Sequence, residues 1–136
     1  MKKSLNHSGF TLIEILLVVI IIGILAGLVV PNIMGRSEEA RRQAAIADVS
    51  GGLAAAIDLY ELDNGVFPEK MEDLVVDPGT VRNWRGPYLK KGIPKDPWGN
   101  PYSYKNPGVH NPSSYDLSSA GHDGQPSTSD DITNWE

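Results

Sequence analysis

The chain has no cysteine, which excludes disulfides, thiolate metal centres and cysteine nucleophiles. Positive charge is equally uneven. No Lys or Arg follows Lys105, and residues 117–136 carry Asp123, Asp130, Asp131 and Glu136 with no basic residue among them. Phosphate binding needs a clustered positive face, so a nucleic-acid partner is excluded. Catalytic fingerprints are missing too. There is no GxSxG, HExxH, phosphate loop or dinucleotide motif, and the three histidines, His7, His110 and His122, are scattered. His122 beside Asp123 could do acid–base work, but a loop histidine next to a turn aspartate is usually only solvated. The sequence reads as a non-enzyme.

What is present is a long apolar run. Residues 15–35 read ILLVVIIIGILAGLVVPNIMG, 21 residues without a charge. A helix of about 20 apolar residues spans a bilayer core. Lys2, Lys3 and His7 precede the run, and Glu14 is the only acid before residue 36. By the positive-inside rule the N-terminus is then cytoplasmic, and the rest of the chain lies across the membrane. A plain secretory signal is the competing reading. Its apolar core is about 7–15 residues and ends in a small-residue cleavage site, whereas this run is longer and passes into a helical pattern. Glu14 is the second notable feature. A carboxylate facing hydrocarbon costs a few kcal/mol, so it is either functional or hydrated among headgroups.

The stretch KKSLNHSGFTLIEILLVVIIIGILAGLVVP resembles the class III signal of type IV pilins and type II secretion pseudopilins. The resemblance implies cleavage by a prepilin peptidase between Gly9 and Phe10, and N-methylation of Phe10. Glu14 is then the fifth mature residue, the acid characteristic of that superfamily. The α-amine of Phe10 and the Glu14 carboxylate are both costly in hydrocarbon, and pairing them between neighbouring subunits would offset both costs.

Downstream, Ile46, Val49, Leu53, Ile57 and Tyr60 fall 3, 4, 4 and 3 apart and draw one apolar stripe on a helix. That helix is expected to run from Phe10 to Leu62, with a weak stretch at Pro31 and a stop at Asp63-Asn64-Gly65. Beyond it lie nine of the ten prolines. A short second helix is expected over 69–76 and short strands at 101–105 and 114–118. Trp84, Tyr88, Trp98, Tyr102 and Tyr104 are expected to pack the sheet on the stripe rather than line a ligand site.

Asp123, Asp130 and Asp131 share a Gly/Ser-rich loop. A flexible turn with three acids suits calcium, which takes about six to eight hard oxygens, but such segments are also common in ordinary acidic turns. The segments GPYLKKGIPKDPWGNPYSY and YDLSSAGHDGQPSTSDDITNW resemble those of the major type II secretion pseudopilins. That likeness implies Ca2+ held by the side chains of Asp123, Asp130 and Asp131, with backbone carbonyls of Ala120 and Thr128 less securely assigned. The fold it implies is α+β and pilin-like: a long N-terminal helix, transmembrane in its first half, packed on a small antiparallel sheet with a calcium-binding C-terminal loop. The organisation follows as leader 1–9, transmembrane and assembly segment 10–35, and periplasmic domain 36–136. The implied role is that of major subunit of the pseudopilus, a homopolymer anchored in the bacterial inner membrane that helps drive protein export. Minor pseudopilins, the prepilin peptidase and the inner-membrane assembly platform are its implied partners. A type IV pilin of a surface fibre is the alternative, and the cysteine-free acidic tail favours the pseudopilin.

Overall fold

The computed structural model describes residues 9–135, without the side chains of residues 28–34. Lys2, Lys3, His7 and most of the expected leader therefore lie outside the described residues. The chain divides after Glu38 into two compact units. Helix α1 runs Leu12–Ala47, and Pro31 falls within it. In the first unit every large apolar side chain from Phe10 to Leu25 is exposed. Among the described residues no helix is long and apolar enough to cross a membrane. Residues 28–34, which complete the apolar run, stand outside that statement.

The single helix expected to Leu62 is interrupted. A π-turn occupies Asp48–Gly52, and α2 follows at Leu53–Asn64. Residue spacing explains the interruption. Ala45, Val49, Leu53 and Ile57 are all buried and lie four residues apart. On a helix of 3.6 residues per turn each such step rotates the stripe by about 40°. One wider turn brings the residues after it back toward the same face. The turn is held from outside, because the Tyr102 hydroxyl donates to Asp48 Oδ2 at 2.7 Å. Burial first, and then the Asp48 carboxylate, push the Tyr102 phenol well above its ordinary value, so it remains a donor. Gly65 ends α2 in the left-handed conformation (φ 73°), with its N–H on the Glu61 carbonyl; glycine adopts this φ without a Cβ penalty.

The helix expected over 69–76 is only a 3-10 turn, Met71–Leu74. Its carbonyls are taken by the segment after it. The Trp84 indole N–H donates to Asp73 O, and Tyr88 N–H donates to Leu74 O at 2.7 Å.

Three short strands form one antiparallel sheet in the order β1-β2-β3: β1 at Ser103–Lys105, β2 at Asp116–Ser119 and β3 at Ile132–Thr133. The expected strands are present but trimmed. Pro101 instead makes a lone bridge with Lys95. β3 was not anticipated, since two residues give no periodic signal. Side chains prolong it: Asn134 Oδ1 accepts from Leu117 N–H, and Asn134 Nδ2 donates to the Tyr115 carbonyl.

The core joins the helix stripe to this sheet. Val49, Leu53, Ile57 and Tyr60 are buried with Leu74, Tyr102, Tyr115 and Leu117. Each fully buried aliphatic side chain contributes about 1.5–3 kcal/mol. Trp84, Tyr88, Trp98 and Tyr104 pack partly buried against this core, as expected of core aromatics. Tyr88 makes edge contacts with Tyr60 and Trp84 at 5.4 and 5.9 Å.

Asp116 organises the loop between β1 and β2. Its carboxylate accepts from the N–H groups of Val109, His110 and Asn111 and lies 3.0 Å from His110 Nδ1. The His110 ring in turn stacks on Trp135 at 4.2 Å. Burial alone would raise the Asp116 pKa, but the donors outweigh it and hold the carboxyl at about 2, below its ordinary 3.8. A depressed folded value contributes stability that is present above the unfolded value and is lost as pH falls toward the folded one. Wild-type stability should therefore decline between about pH 3.8 and about pH 2. Asp116→Asn should flatten that decline and, by removing an acceptor shared by several N–H groups, cost about 1 kcal/mol at neutral pH. Urea titrations across this pH range check both; an unchanged acid limb in the variant refutes the assignment.

Candidate functional site

Two regions hold the residues singled out in the sequence. At the start of α1, Gly9 and Phe10 precede the helix and are exposed. Thr11 is the residue before the first helical turn. Glu14 N–H donates to Thr11 Oγ1 at 3.3 Å, and Thr11 N–H donates to Glu14 Oε2 at 3.5 Å. These long, reciprocal bonds make a capping box, in which each side chain satisfies an N–H of the other residue. Glu14 thus has a partner within its own chain, a pattern legible as T-x-x-E at residues 11–14. The Gly9–Phe10 bond lies ahead of the capped turn.

The second region is the loop between β2 and β3. Asp123, Asp130 and Asp131 do come together, and the point on which they converge is the Thr128 hydroxyl. Thr128 Oγ1 lies 2.7 Å from Asp130 Oδ1 and 3.3 Å from both Asp123 Oδ1 and Asp131 Oδ1. The Gln125 carbonyl is 3.2 Å from the same atom. A hydroxyl carries one proton, so it cannot serve four acceptors. The gathered oxygens lack positive charge, and that donor set suits a hard cation. Among the described residues no group of three or more acidic or imidazole side chains is arranged to hold a metal as it stands. The two observations differ because the carboxylates meet on a threonine oxygen rather than directly on one another. The convergence bears on donor chemistry, whereas a finished cage would need the ion itself.

Backbone N–H groups fix the three acids. Asp130 Oδ2 accepts from Asp123 N–H at 3.0 Å, Asp123 Oδ1 from Gln125 N–H at 2.8 Å, and Asp131 Oδ2 from Ser127 N–H at 2.7 Å. The Thr128 hydroxyl, followed by the Asp123 N–H, holds the Asp130 carboxyl below its ordinary value. Ser127 takes φ 69°, the one positive φ outside glycine among the described residues. The Thr128 carbonyl accepts from Asp131 N–H at 3.4 Å. The sequence pointed to that carbonyl and missed the hydroxyl, because no spacing rule marks a threonine on which distant carboxylates meet. Ala120 sits half-buried between β2 and the loop.

An α+β head with a small antiparallel sheet and a helix bearing exposed apolar side chains are the features of a pilin-like subunit. The prokaryotic N-terminal methylation motif matches residues 4–30, and the family of type II secretion system protein G matches residues 32–135. The chain is similar to the type II secretion system core protein G of Escherichia coli K12, 47% identical over 99% of this chain and 95% of that protein. It is 48% identical to the core protein G of Pseudomonas aeruginosa, over 96% of each chain. Its structure resembles the crystal structure of the major pseudopilin from the type 2 secretion system of enterohaemorrhagic Escherichia coli. The TM-score is 0.63 at 40% identity, covering 79% of this chain and 92% of that one. The chain belongs to the type II secretion system protein G family, a family of structural pseudopilin subunits and not of enzymes.

The capping box generates a prediction. Thr11→Ala should destabilise the first turn of α1 by about 1 kcal/mol. Hydrogen exchange of the amides at residues 12–15 in the detergent-solubilised protein should then accelerate; unchanged protection there would show that the box contributes nothing.

Proposed function

We propose that this chain is the major subunit of a type II secretion pseudopilus. It is anchored by its N-terminal apolar helix in the bacterial inner membrane and polymerises into a periplasmic fibre that helps drive protein export through the outer membrane. The observation that carries the reading is a helix start that is exposed and apolar from Phe10 to Leu25 with one acid, Glu14, in its first turn, joined to a membership that matches nearly the whole chain. In this reading the prepilin peptidase cuts between Gly9 and Phe10, Phe10 is N-methylated, and the N-terminus faces the cytoplasm. The 36–136 domain lies in the periplasm, and minor pseudopilins and the inner-membrane assembly platform are partners of the fibre.

Glu14 then has two possible partners. Its carboxylate caps Thr11 within one subunit, and in the fibre it can turn to the Phe10 α-amine of a neighbour. A buried charge on either side is costly alone, so the pairing sets the axial register between subunits. Glu14→Ala should leave the subunit inserted and folded but strongly reduce fibre formation and secretion. Assembly at the normal rate would overturn the pairing. Mass spectrometry of native fibres should show a chain beginning at methylated Phe10; an intact Met1 would refute the processing.

The same reading gives the β2–β3 loop to Ca2+. Asp123, Asp130 and Asp131 would supply side-chain oxygens and the carbonyls of Ala120 and Thr128 would complete the shell, with the cation neutralising acids that no Lys or Arg accompanies. Support comes from the convergence on Thr128 Oγ1, where oxygens outnumber protons. Binding to the folded form alone stabilises it by mass action, so saturating calcium should raise the melting point by on the order of 10 °C over chelator. Asp130→Ala should abolish the difference. A wild-type melting curve indifferent to chelation would make the loop an ordinary acidic turn.

A further inference from the structure

Asp96 lies outside every site described so far, and it is a buried carboxylate, 4% exposed. Neutral donors satisfy it. Its Oδ1 accepts from Trp98 N–H at 3.1 Å and Asn100 N–H at 2.7 Å, and its Oδ2 accepts from the Ser119 hydroxyl at 2.6 Å. Ser119, at the end of β2, is fully buried. Its oxygen accepts in turn from Gly121 N–H at 3.2 Å. The direction of this chain is forced. The carboxylate can only accept and the amide can only donate, so the hydroxyl proton must point to Asp96.

Gly121 passes the constraint to the acidic loop by contact. It takes φ 63°, and a Cβ there would lie 2.6 Å from Asp130 Oδ2 and closer still to the Asp130 carbonyl. That same Oδ2 accepts from Asp123 N–H, and Asp130 Oδ1 accepts from Thr128. Asn100, whose N–H bonds Asp96, also has its side-chain amide 3.3 Å from where a Cβ on Gly124 would sit. The loop is therefore held at residue 121 from one buried carboxylate. A buried carboxylate is costly unless it is hydrogen-bonded, and here donors from Trp98, Asn100 and Ser119 meet it.

We propose that Asp96, acting through Ser119, is the positioning residue of the β2–β3 loop: it holds Asp123 and Asp130 in place before any cation arrives. The three acids repel one another, so a loop left to itself would spread. A loop held in place by neutral hydrogen bonds has already met most of the ordering cost of binding. Groups that orient metal ligands from behind typically change metal affinity about 10–100-fold when removed. The consequence for affinity rests on the calcium reading above, whereas the consequence for loop order does not.

The test uses the full chain in detergent micelles and two readouts. Hydrogen exchange in excess chelator is followed at residues 121–131 and, as an internal reference, at α2. Ser119→Ala should speed exchange in the loop at least tenfold while α2 keeps wild-type protection. Calorimetric titration with Ca2+ alone should then show at least tenfold weaker binding. Gly121→Ala, which leaves Asp96 and Ser119 in place but pushes on Asp130, should do the same, and it serves if Ser119→Ala does not fold. Exchange that is unchanged in the loop, or that rises equally in α2, would overturn the proposal, as would loop loosening that leaves calcium affinity at the wild-type value. If wild type takes up no calcium, the metal reading fails and the exchange measurement alone decides the positioning role.

Discussion

The second unit depends on the burial of one helix face beneath a sheet too small to stand alone. A three-stranded sheet with strands of three, four and two residues cannot bury enough apolar surface by itself. Val49, Leu53, Ile57 and Tyr60 supply the missing half of the core, and with no cysteine available nothing covalent replaces them. The π-turn follows from the same need. A stripe with four-residue steps must be rewound to stay under the sheet, and Tyr102 pins the rewound turn through Asp48.

Buried aspartates organise the long connections that this sparse secondary structure leaves. Asp73, Asp96 and Asp116 each gather N–H donors from a neighbouring turn: Glu69 and Lys70, Trp98 and Asn100, and Val109, His110 and Asn111 respectively. A carboxylate accepting several backbone N–H groups gives an irregular loop a single geometry. The loop aspartates differ. Asp123, Asp130 and Asp131 crowd one hydroxyl at the surface with more acceptors than protons. Each of the three also accepts a backbone N–H, but they share a single hydroxyl proton.

The first unit shows the complementary situation. Its apolar side chains are exposed from Phe10 to Leu25, so their burial must come from outside the single chain, from lipid or from other subunits. The Thr11–Glu14 capping box shows that the one acid there also serves its own helix.

The sequence by itself determined whatever local pattern and short motifs encode. The apolar run and its single acid, the stripe of α2, the Gly65 stop, the two longer strands and the three loop aspartates were all legible. So was the resemblance that led to the family. Tertiary structure decided the rest, because it depends on partners distant in the chain. The π-turn needs Tyr102, 54 residues from Asp48. The 3-10 turn's Asp73 and Leu74 carbonyls bind Trp84 and Tyr88 from a later segment, and β3 is prolonged where Leu117 and Asn134 exchange hydrogen bonds. Asp96, an acid in a proline-rich segment, gave no sign of its role. Hydrogen bonds and close contacts between segments far apart in sequence have no period and no spacing, so only the folded chain shows them.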